Sequence, residues 1–363
     1  MYVEQKNMLR KRVGLQVKFT NPLLHSLGSG ILIVLIYAFW STSVYERMVY
    51  DTVLVHSIGR ADVKAGVQSE IVCEQESRQQ HVKEVCKNWH MTEVNAKKAW
   101  FFVDTKHRLL FCHVPKAAST TIINAMKMSQ NNASRLLKSS PQLYSKVHDM
   151  NVLKKFGLKI MTFDEAAKLE NYTSFFVTRH PYARLESAFN NKIFHGPRTK
   201  SLYRGKAFLK FAREHDLGVN FKNTSDEAFP VFAKHFVYAD DEDIPYSRDH
   251  HWTPMIERCN PCVWDFDYIL REETLASDSG AVMKLMGYPS NYLQRTRKNS
   301  EAKPKRRNIA KRLQYFHMLS EQDVQRLQAI YKLDMALFGY QYNFETATAT
   351  CHIPTADGKG VCC

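Results

Sequence analysis

Residues 113–121 place a lysine and three hydroxyl side chains directly after a short apolar run. The segment reads His-Val-Pro-Lys-Ala-Ala-Ser-Thr-Thr, so Lys116 precedes Ser119, Thr120 and Thr121. Free N–H groups and hydroxyls at the start of a helix, together with an ammonium group, are typical of an anion-binding site. The chain has no G-x-x-x-x-G-K-[ST] motif, so this segment is not a Walker A loop. The alternative interpretation is an ordinary strand and turn that lead into a capped helix.

Residues 175–189 form a second candidate anion site, in which Arg179 follows another apolar run. Ligands of open α/β sheets bind at the C-terminal ends of the strands, which is where Arg179 would lie. Its guanidinium can make a bidentate contact with a phosphate, and Ser187, about two turns into the next helix, can add a hydroxyl. We expect Arg184 to brace the helix rather than to bind a ligand. The alternative for Arg179 is an arginine that packs at the end of a strand.

A third group, formed by His250, His251, Cys259 and Cys262, offers nitrogen and sulfur ligands at a spacing that resembles a zinc site. The chain has eight cysteines, and an even number fits a compartment in which disulfides form. In an oxidising lumen, disulfides are the better interpretation of the two cysteines. We therefore expect no metal.

Strands that alternate with helices would position these residues. Short apolar runs predict buried strands at residues 108–114, 174–178 and 266–270. Helices are predicted at residues 119–128, 181–192, 275–286 and 321–337. Pro181 suits a first helical turn, Gly287 a helix stop and Ser320 an N-cap. This order predicts an α/β fold with a mainly parallel sheet and flanking helices, and the basic run at 295–312 is interpreted as a solvated loop.

The N-terminal residues predict a membrane anchor. Residues 1–20 carry five basic side chains and one acidic one, and a mostly apolar stretch follows, in which residues 31–40 are entirely apolar. A helix that spans a bilayer needs roughly 17–25 residues, and the basic flank places the N-terminus in the cytosol and the remainder in the lumen. The alternatives are a cleaved signal peptide, with Ser41 and Ser43 near the cleavage site, and a buried core helix.

The chain therefore divides into five predicted parts. These are a cytosolic tail at 1–21, a single transmembrane signal anchor at 22–43, a stem at 44–97, the main domain at 98–345 and a polar, cysteine-containing tail at 346–363. Cys73 and Cys86 lie in the stem, where they could pair locally. Three N-glycosylation sequons, which begin at Asn132, Asn171 and Asn223, agree with a lumenal main domain.

Composition limits the class of protein. With 44% hydrophobic and 12% aromatic residues, the chain can bury a core, which excludes a disordered polymer. Its formal net charge of +15 is typical of proteins that meet a polyanion, which can be nucleic acid, acidic lipid or acidic polysaccharide. Charge alone does not choose among these three.

The two anion-site motifs resemble those of a known family. VPKAAST and TRHPYARLESAF are similar to the 5′- and 3′-phosphate-binding motifs of Golgi carbohydrate sulfotransferases, in particular the group that sulfates chondroitin, dermatan and terminal N-acetylgalactosamine. Further segments that resemble this group lie at residues 251–252, 259–262, 266–269, 273–275 and 331–334. The group usually has cysteine at the position of Ser119 and tryptophan at that of Ile122. The form found here is closer to the uronyl and heparan 2-O-sulfotransferases.

The resemblance, which covers residues 98–345, implies a P-loop-like sulfotransferase fold and transfer of a sulfo group from 3′-phosphoadenosine-5′-phosphosulfate to a carbohydrate hydroxyl. The implied acceptor is the 4-O position of N-acetylgalactosamine in chondroitin-type glycosaminoglycan, with uronyl or heparan 2-O-sulfation as the alternative. It further implies an acidic glycan partner, no nucleic-acid partner, no metal and a Golgi membrane location. An inactive lumenal module that binds sulfated glycans is a different class, and it would need no nucleotide site.

The resemblance also implies roles for single residues. The implied donor-binding residues are Pro115, Lys116, Ala117, Ala118, Ser119, Thr120, Thr121, Arg179 and Ser187. Lys116 would stabilise charge on the leaving phosphate, while Arg179 and Ser187 would hold the 3′-phosphate. The loop hydroxyls would bind the 5′-phosphate. In-line transfer of this kind depends more on positioning and charge stabilisation than on covalent chemistry.

A general base must take the proton of the acceptor hydroxyl, and histidine has a suitable ordinary pKa of about 6.5. Among 15 histidines we choose His148, because it lies between the two motifs and a histidine resembling it lies in this interval in the family. His251 is the second choice, and it could instead bind the acceptor or simply pack. His113 and His180 lie in the phosphate motifs, where we expect structural roles. The alternative for His148 is an exposed loop histidine.

Overall fold

The computed structural model describes residues 75–89, 99–194, 202–218, 228–238, 248–293, 315–344, 348–351 and 353. The predicted cytosolic tail, the anchor at 22–43, the basic run at 295–312 and Asn223 lie outside the described residues. Within the described part of the chain, no helix is both long enough and apolar enough to cross a membrane.

A five-stranded sheet in the order β3-β1-β2-β4-β5 forms the centre of the fold. Its strands are β1 (Trp100–Asp104), β2 (Leu109–Cys112), β3 (Leu158–Thr162), β4 (Thr173–Thr178) and β5 (Tyr268–Arg271). Strand β4 pairs in parallel with β2 and β5, whereas β1 is antiparallel to both β2 and β3.

The sheet is therefore mixed: β2, β3, β4 and β5 run in one direction, in agreement with the prediction of a mainly parallel sheet, and β1 runs against them. Residues 105–108 are all that connect β1 to β2, and Arg108 in this turn has a φ of 52°. So short a connection can join antiparallel neighbours but not parallel ones, which need a long crossover. The α/β class, with helices packed beside the sheet, agrees with the prediction.

Helices fill the connections between the strands. They are α1 (75–88), α2 (Ser119–Met128), α3 (Ala133–Ser139), α4 (Met150–Lys155), α5 (Phe163–Ala166), α6 (Pro181–Ala188), α7 (Leu202–Glu214), α8 (Ala228–Phe232), α9 (Leu275–Asp278), α10 (Gly280–Leu285) and α11 (Glu321–Phe338). A π-helical turn, Phe189–Phe194, continues α6. As expected, Ser320 caps α11 by accepting a hydrogen bond from the N–H of Asp323. The predicted helix at 275–286 is divided into α9 and α10.

Helix α1 is fixed to the main domain, although the sequence places its residues in the stem. Arg78 forms an ion pair of 2.6 Å with Asp278, and both side chains are 1% exposed. Arg78 also donates a hydrogen bond to the main-chain oxygen of Ile269, in β5. A disulfide joins Cys86 to Cys262, so Cys86 is not bonded to Cys73. Helix α1 therefore belongs to the folded domain.

The C-terminal part of the described chain adds a second, two-stranded sheet. Strand β6 (Tyr340–Asn343) pairs in antiparallel fashion with β7 (Thr348–Cys351). Strand β7 falls in the segment that the sequence assigns to the polar tail. The tail thus begins with a strand that completes a sheet.

The two described sequon asparagines differ in their surroundings. Nδ2 of Asn132 donates a hydrogen bond of 2.7 Å to the main-chain oxygen of Lys155, and Oδ1 of Asn132 is buried. Asn171 is exposed in a turn before β4 and has a φ of 59°. Of these two asparagines, Asn171 is the more exposed to solvent.

Candidate active site

The turn between β2 and α2, residues 113–118, has an uncommon backbone. Lys116 and Ala118 have φ values of 69° and 51°, which lie in the left-handed region that residues with a Cβ rarely adopt. Such a conformation persists where surrounding contacts enforce it, and it is frequent at functional sites. Here it turns the chain tightly, so that α2 begins at Ser119 with its N-terminal end beside Lys116. We call residues 113–118 the Lys116 loop.

Two arginines of the second motif hold the Lys116 loop. Arg179 follows β4, and its Nη1 donates a hydrogen bond of 2.9 Å to the main-chain oxygen of Lys116. Arg184, in α6, is fully buried and donates from Nε to the oxygen of Pro115 at 3.0 Å. Its other nitrogens donate to the oxygens of His250 and Thr253. Arg184 therefore braces the Lys116 loop and the segment of His250 and Thr253, rather than its own helix as the sequence analysis expects.

A cavity of about 590 Å³ opens in front of the Lys116 loop. The predicted site residues that line it are Pro115, Lys116, Ala118, Ser119, Thr120, His148, Arg179 and Ser187. Two predicted residues do not line it: the side chain of Ala117, within the loop, is buried, and Thr121 is exposed on α2. Residues more than thirty positions apart in the chain, such as Lys116 and His148, thus share one cavity.

Several lining residues were not predicted from the sequence, namely Ser145, Val147, Asn191, Lys192 and Glu272. Asn191 and Lys192 lie in the π-helical turn after α6, where residues five apart share a face. Lys192 is therefore brought to the same wall as Ser187. A helical pattern with a period of 3.6 would not have placed it there.

Positive charge is concentrated in the cavity. Burial, and after it the neighbouring cations Lys192, Arg179 and Arg184, together lower the pKa of Lys116 to about 8. A lysine in such surroundings is ready to bind an anion, which would restore its ordinary preference for the charged form. Glu272 balances part of the charge, since its Oε2 lies 3.7 Å from Nε of Arg179.

Two histidine rings face each other on another part of the wall. The ring centroids of His113 and His148 are 5.1 Å apart. Desolvation in the cavity, followed by the charges of Lys192 and Lys127, lowers the pKa of His148 from its ordinary value. His148 is therefore neutral near pH 7 and has a ring nitrogen able to accept a proton.

His180 serves structure, as expected. Its Nδ1 accepts a hydrogen bond from the N–H of Tyr182 and so caps α6. Its Nε2 lies 3.0 Å from the main-chain oxygen of Gln341, in β6. His113 differs from His180, because it lines the cavity and its buried Nε2 has no hydrogen-bond partner within the described part of the chain.

The predicted cysteine chemistry is confirmed as disulfide bonding. Cys259 is bonded to Cys112 and Cys262 to Cys86, so neither can act as a thiolate ligand for zinc. The Cys112–Cys259 bond joins the end of β2 to the segment that carries His250 and His251. It therefore fixes one wall of the cavity to the strand that leads into the Lys116 loop.

The arrangement suits transfer of an anionic group. One cavity is lined by the start of α2 with its two hydroxyls, by Lys116, by Arg179 and Ser187, and by the neutral His148. Donors of this type stabilise negative charge on phosphate or sulfo oxygens.

Comparison with known proteins agrees with this chemistry. A family profile described as "Sulfotransferase family" matches residues 100–341. The chain is 28% identical over 246 residues to carbohydrate sulfotransferase 8 of Mus musculus. This alignment covers 67% of this chain and 57% of that protein. It is 27% identical over 305 residues to carbohydrate sulfotransferase 9 of Homo sapiens, which covers 80% and 65%. The corresponding values for carbohydrate sulfotransferase 10 of Xenopus laevis are 29% over 257 residues, 66% and 67%.

The matches to the first two relatives thus span about 57–65% of their length. No solved structure matches the chain. The profile match includes both anion-site motifs and every strand of the central sheet. This chain belongs to the sulfotransferase family, and the relatives that it resembles are carbohydrate sulfotransferases.

Proposed function

We propose that this protein transfers a sulfo group from 3′-phosphoadenosine-5′-phosphosulfate to a carbohydrate hydroxyl. The observation that carries the proposal is the single cavity lined by residues of both anion-site motifs. Family membership and the names of the relatives support it. An inactive glycan-binding module would have no use for this pair of phosphate sites.

The lining residues fit such a donor. Lys116, with Ser119 and Thr120 at the start of α2, would bind the 5′-phosphosulfate. Arg179 and Ser187 would hold the 3′-phosphate, since Nη1 of Arg179 is used on the loop and Nε faces Glu272, which leaves Nη2 for the ligand. Pro115, Ala117 and Ala118 shape the loop. The side chain of Thr121 lies outside the cavity, so we assign it no contact with the donor.

In the proposed reaction His148 takes the proton of the acceptor hydroxyl as its oxygen attacks the sulfur atom. The bond between sulfur and the bridging oxygen breaks, and the electron pair stays on the leaving 5′-phosphate. Lys116 stabilises that charge as it develops, which lowers the barrier without a covalent intermediate. The other residues that line the cavity hold the donor and the acceptor hydroxyl in line.

For the acceptor we propose N-acetylgalactosamine in a chondroitin-type glycosaminoglycan, sulfated at the 4-O position. The motif resemblance supports this choice, and the net charge of +15 and the cationic cavity suit an acidic glycan. Uronyl or heparan 2-O-sulfation is the alternative that the Ser119-Thr120-Thr121 form of the loop favours.

We further propose a Golgi protein with one membrane anchor at residues 22–43 and a lumenal catalytic domain. Two disulfides support an oxidising compartment. We place the start of the catalytic domain before residue 75, because α1 is joined to the domain by a disulfide and a buried ion pair. The stem would then be shorter than 44–97.

Transfer of radiolabelled sulfate from the donor to a panel of desulfated glycosaminoglycans tests the function. We expect label in desulfated chondroitin, and disaccharide analysis should locate it at the 4-O position of N-acetylgalactosamine. Label in heparan or in uronic acid would favour the alternative acceptor. A protein that neither binds 3′-phosphoadenosine 5′-phosphate in calorimetry nor labels any glycan would contradict the function itself.

A further inference from the structure

A second group of charged side chains reaches the cavity wall and is centred on Asp249. Its Oδ1 lies 2.6 Å from Nδ1 of His251. Its Oδ2 accepts a hydrogen bond of 2.7 Å from Nε of Arg204, in α7, and forms an ion pair of 2.7 Å with Nη2 of the same side chain. The side chains of Arg204, Asp249 and His251 are 19%, 5% and 11% exposed, so the chain of contacts is largely shielded from water. None of the proposed donor-binding residues belongs to it.

The contacts of Asp249 decide where the proton of His251 resides. A carboxylate that also faces Arg204 is ionised and only accepts hydrogen bonds, so Nδ1 of His251 must carry the proton and donate it. The other ring nitrogen, Nε2, then has a free lone pair, and it makes no hydrogen bond to another described residue. Burial lowers the pKa of His251 to about 3, although the bond to Asp249 opposes this shift. The ring therefore stays neutral.

A lone pair in this position selects its partner. The phosphate and sulfo groups of the donor present only acceptor oxygens, which Nε2 repels. A carbohydrate hydroxyl can donate a hydrogen bond to it. A metal ion fits less well, although Asp249, His250 and His251 place three ligand atoms within 4.8 Å of one another. Arg204 already occupies one carboxylate oxygen, and Lys192 adds positive charge close to His251.

We propose that His251 binds a hydroxyl of the carbohydrate acceptor through Nε2, and that Asp249 and Arg204 position its ring for this contact. The inference rests on the proposed sulfotransferase function and assigns the acceptor side of the same cavity. His148 deprotonates the reacting hydroxyl, whereas His251 holds the sugar in place. Loss of His251 therefore weakens acceptor binding more than it lowers the rate of sulfo transfer once both substrates are bound.

The test uses the full chain and the glycan that the transfer assay labels most strongly. For His251→Ala we expect the acceptor KM to rise about tenfold or more, with the affinity for 3′-phosphoadenosine 5′-phosphate within about twofold of wild type. His251→Gln should recover part of the loss, because its amide oxygen can accept the same hydrogen bond.

Asp249→Asn tests the positioning role. An amide has one oxygen and one NH₂ group, so it cannot accept from both Arg204 and His251, and either the ring tautomer or the arginine contact is lost. We expect the acceptor KM to rise here too. Asp265→Asn is the matched control, since Asp265 is exposed and, among the described residues, pairs only with the exposed Lys83. That control should keep wild-type kinetics.

Three results would overturn the inference. One is an unchanged acceptor KM in His251→Ala, and another is a kcat lowered by about a hundredfold at unchanged KM, which would make His251 the base. The third is nucleotide affinity that falls in parallel with acceptor affinity, which would indicate a structural role. Failure of the proposed function is separate, because it would show in the wild-type protein as absence of both nucleotide binding and sulfate transfer.

Discussion

The guanidinium of Arg179 donates a hydrogen bond to the main-chain oxygen of Lys116, and this contact joins the two anion-site motifs directly. The two residues are 63 positions apart in the chain. They meet because β2 and β4 are parallel neighbours whose C-terminal ends lie at the same edge of the sheet. Arg179 therefore holds the loop backbone through Nη1 while its side chain lines the cavity.

Arg179→Ala should weaken binding of 3′-phosphoadenosine 5′-phosphate. Loss of a hydrogen bond to a charged group costs about 1.5–3 kcal/mol, and the loop also loses its support. Isothermal calorimetry measures the change. Arg135→Ala, at an exposed position on α3, is the control and should bind as wild type does. Wild-type affinity in Arg179→Ala would show that the 3′-phosphate site is elsewhere.

Donor affinity should fall as the pH rises through about 8. The pKa of Lys116 in the free protein is lowered to about 8, so the ammonium that binds the anion is present below this pH and lost above it. Calorimetry in buffers of different ionisation enthalpy should reveal proton uptake on binding above about pH 8. Lys116→Arg keeps its charge and should remove this dependence. A constant affinity through this range would contradict the lowered pKa of Lys116.

His148→Ala should lower the transfer rate by at least about a hundredfold, while the donor affinity is unchanged. The reason is that the ring accepts the hydroxyl proton during transfer and makes no contact with the phosphates in the proposed complex. A sulfate-transfer time course measures the transfer rate, and calorimetry with 3′-phosphoadenosine 5′-phosphate measures the donor affinity. His317→Ala, exposed and outside the cavity, serves as control. If turnover is near normal, the role of base passes to His251.

A protein that begins at residue 98 should be much less stable than one that begins at residue 69. Without α1, the buried Asp278 loses Arg78, which costs about 3–5 kcal/mol, and the Cys86–Cys262 bond contributes a further 2–5 kcal/mol or so. Thermal unfolding followed by circular dichroism measures the difference. Peptide mapping without reductant should give the pairs Cys86–Cys262 and Cys112–Cys259. Equal melting temperatures would contradict the role given to α1.

Asn171 should carry a glycan more completely than Asn132. The amide nitrogen of Asn132 is used in a hydrogen bond to Lys155, whereas the side chain of Asn171 is exposed. Endoglycosidase treatment should increase gel mobility, and Asn171→Gln should remove more of this shift than Asn132→Gln. An equal shift in both variants, or none in the wild-type protein, would contradict the assignment.

The sequence revealed elements whose signals are local. Helix α2 follows an apolar run and a group of hydroxyls, and its predicted bounds at 119–128 match the structure. Strand β3 was missed because it is an edge strand in which buried and exposed residues do not alternate cleanly. Helix α1 was read as stem because its burial depends on partners nearly two hundred residues away, which no local pattern shows. Pairing of Cys86 with Cys262 is non-local for the same reason.

Within the site, sequence spacing identified the two motifs, and the fold brought in the rest. Lys192 was missed because a π-helical turn, rather than an α-helical one, aims it at the cavity. The role of Asp249 was also missed. It depends on Arg204, 45 positions away, and on the turn that brings the ring of His251 back to the carboxylate of Asp249.

Arg184 donates its hydrogen bonds to the main-chain oxygens of Pro115, His250 and Thr253. The side chain of Arg184 thus joins the backbone of the Lys116 loop to the backbone of the segment that carries His251. Arg184 is therefore the direct route by which a shift of one segment would reach the other. Any coupling between the two substrates through this guanidinium would, by reciprocity, change both affinities by the same factor.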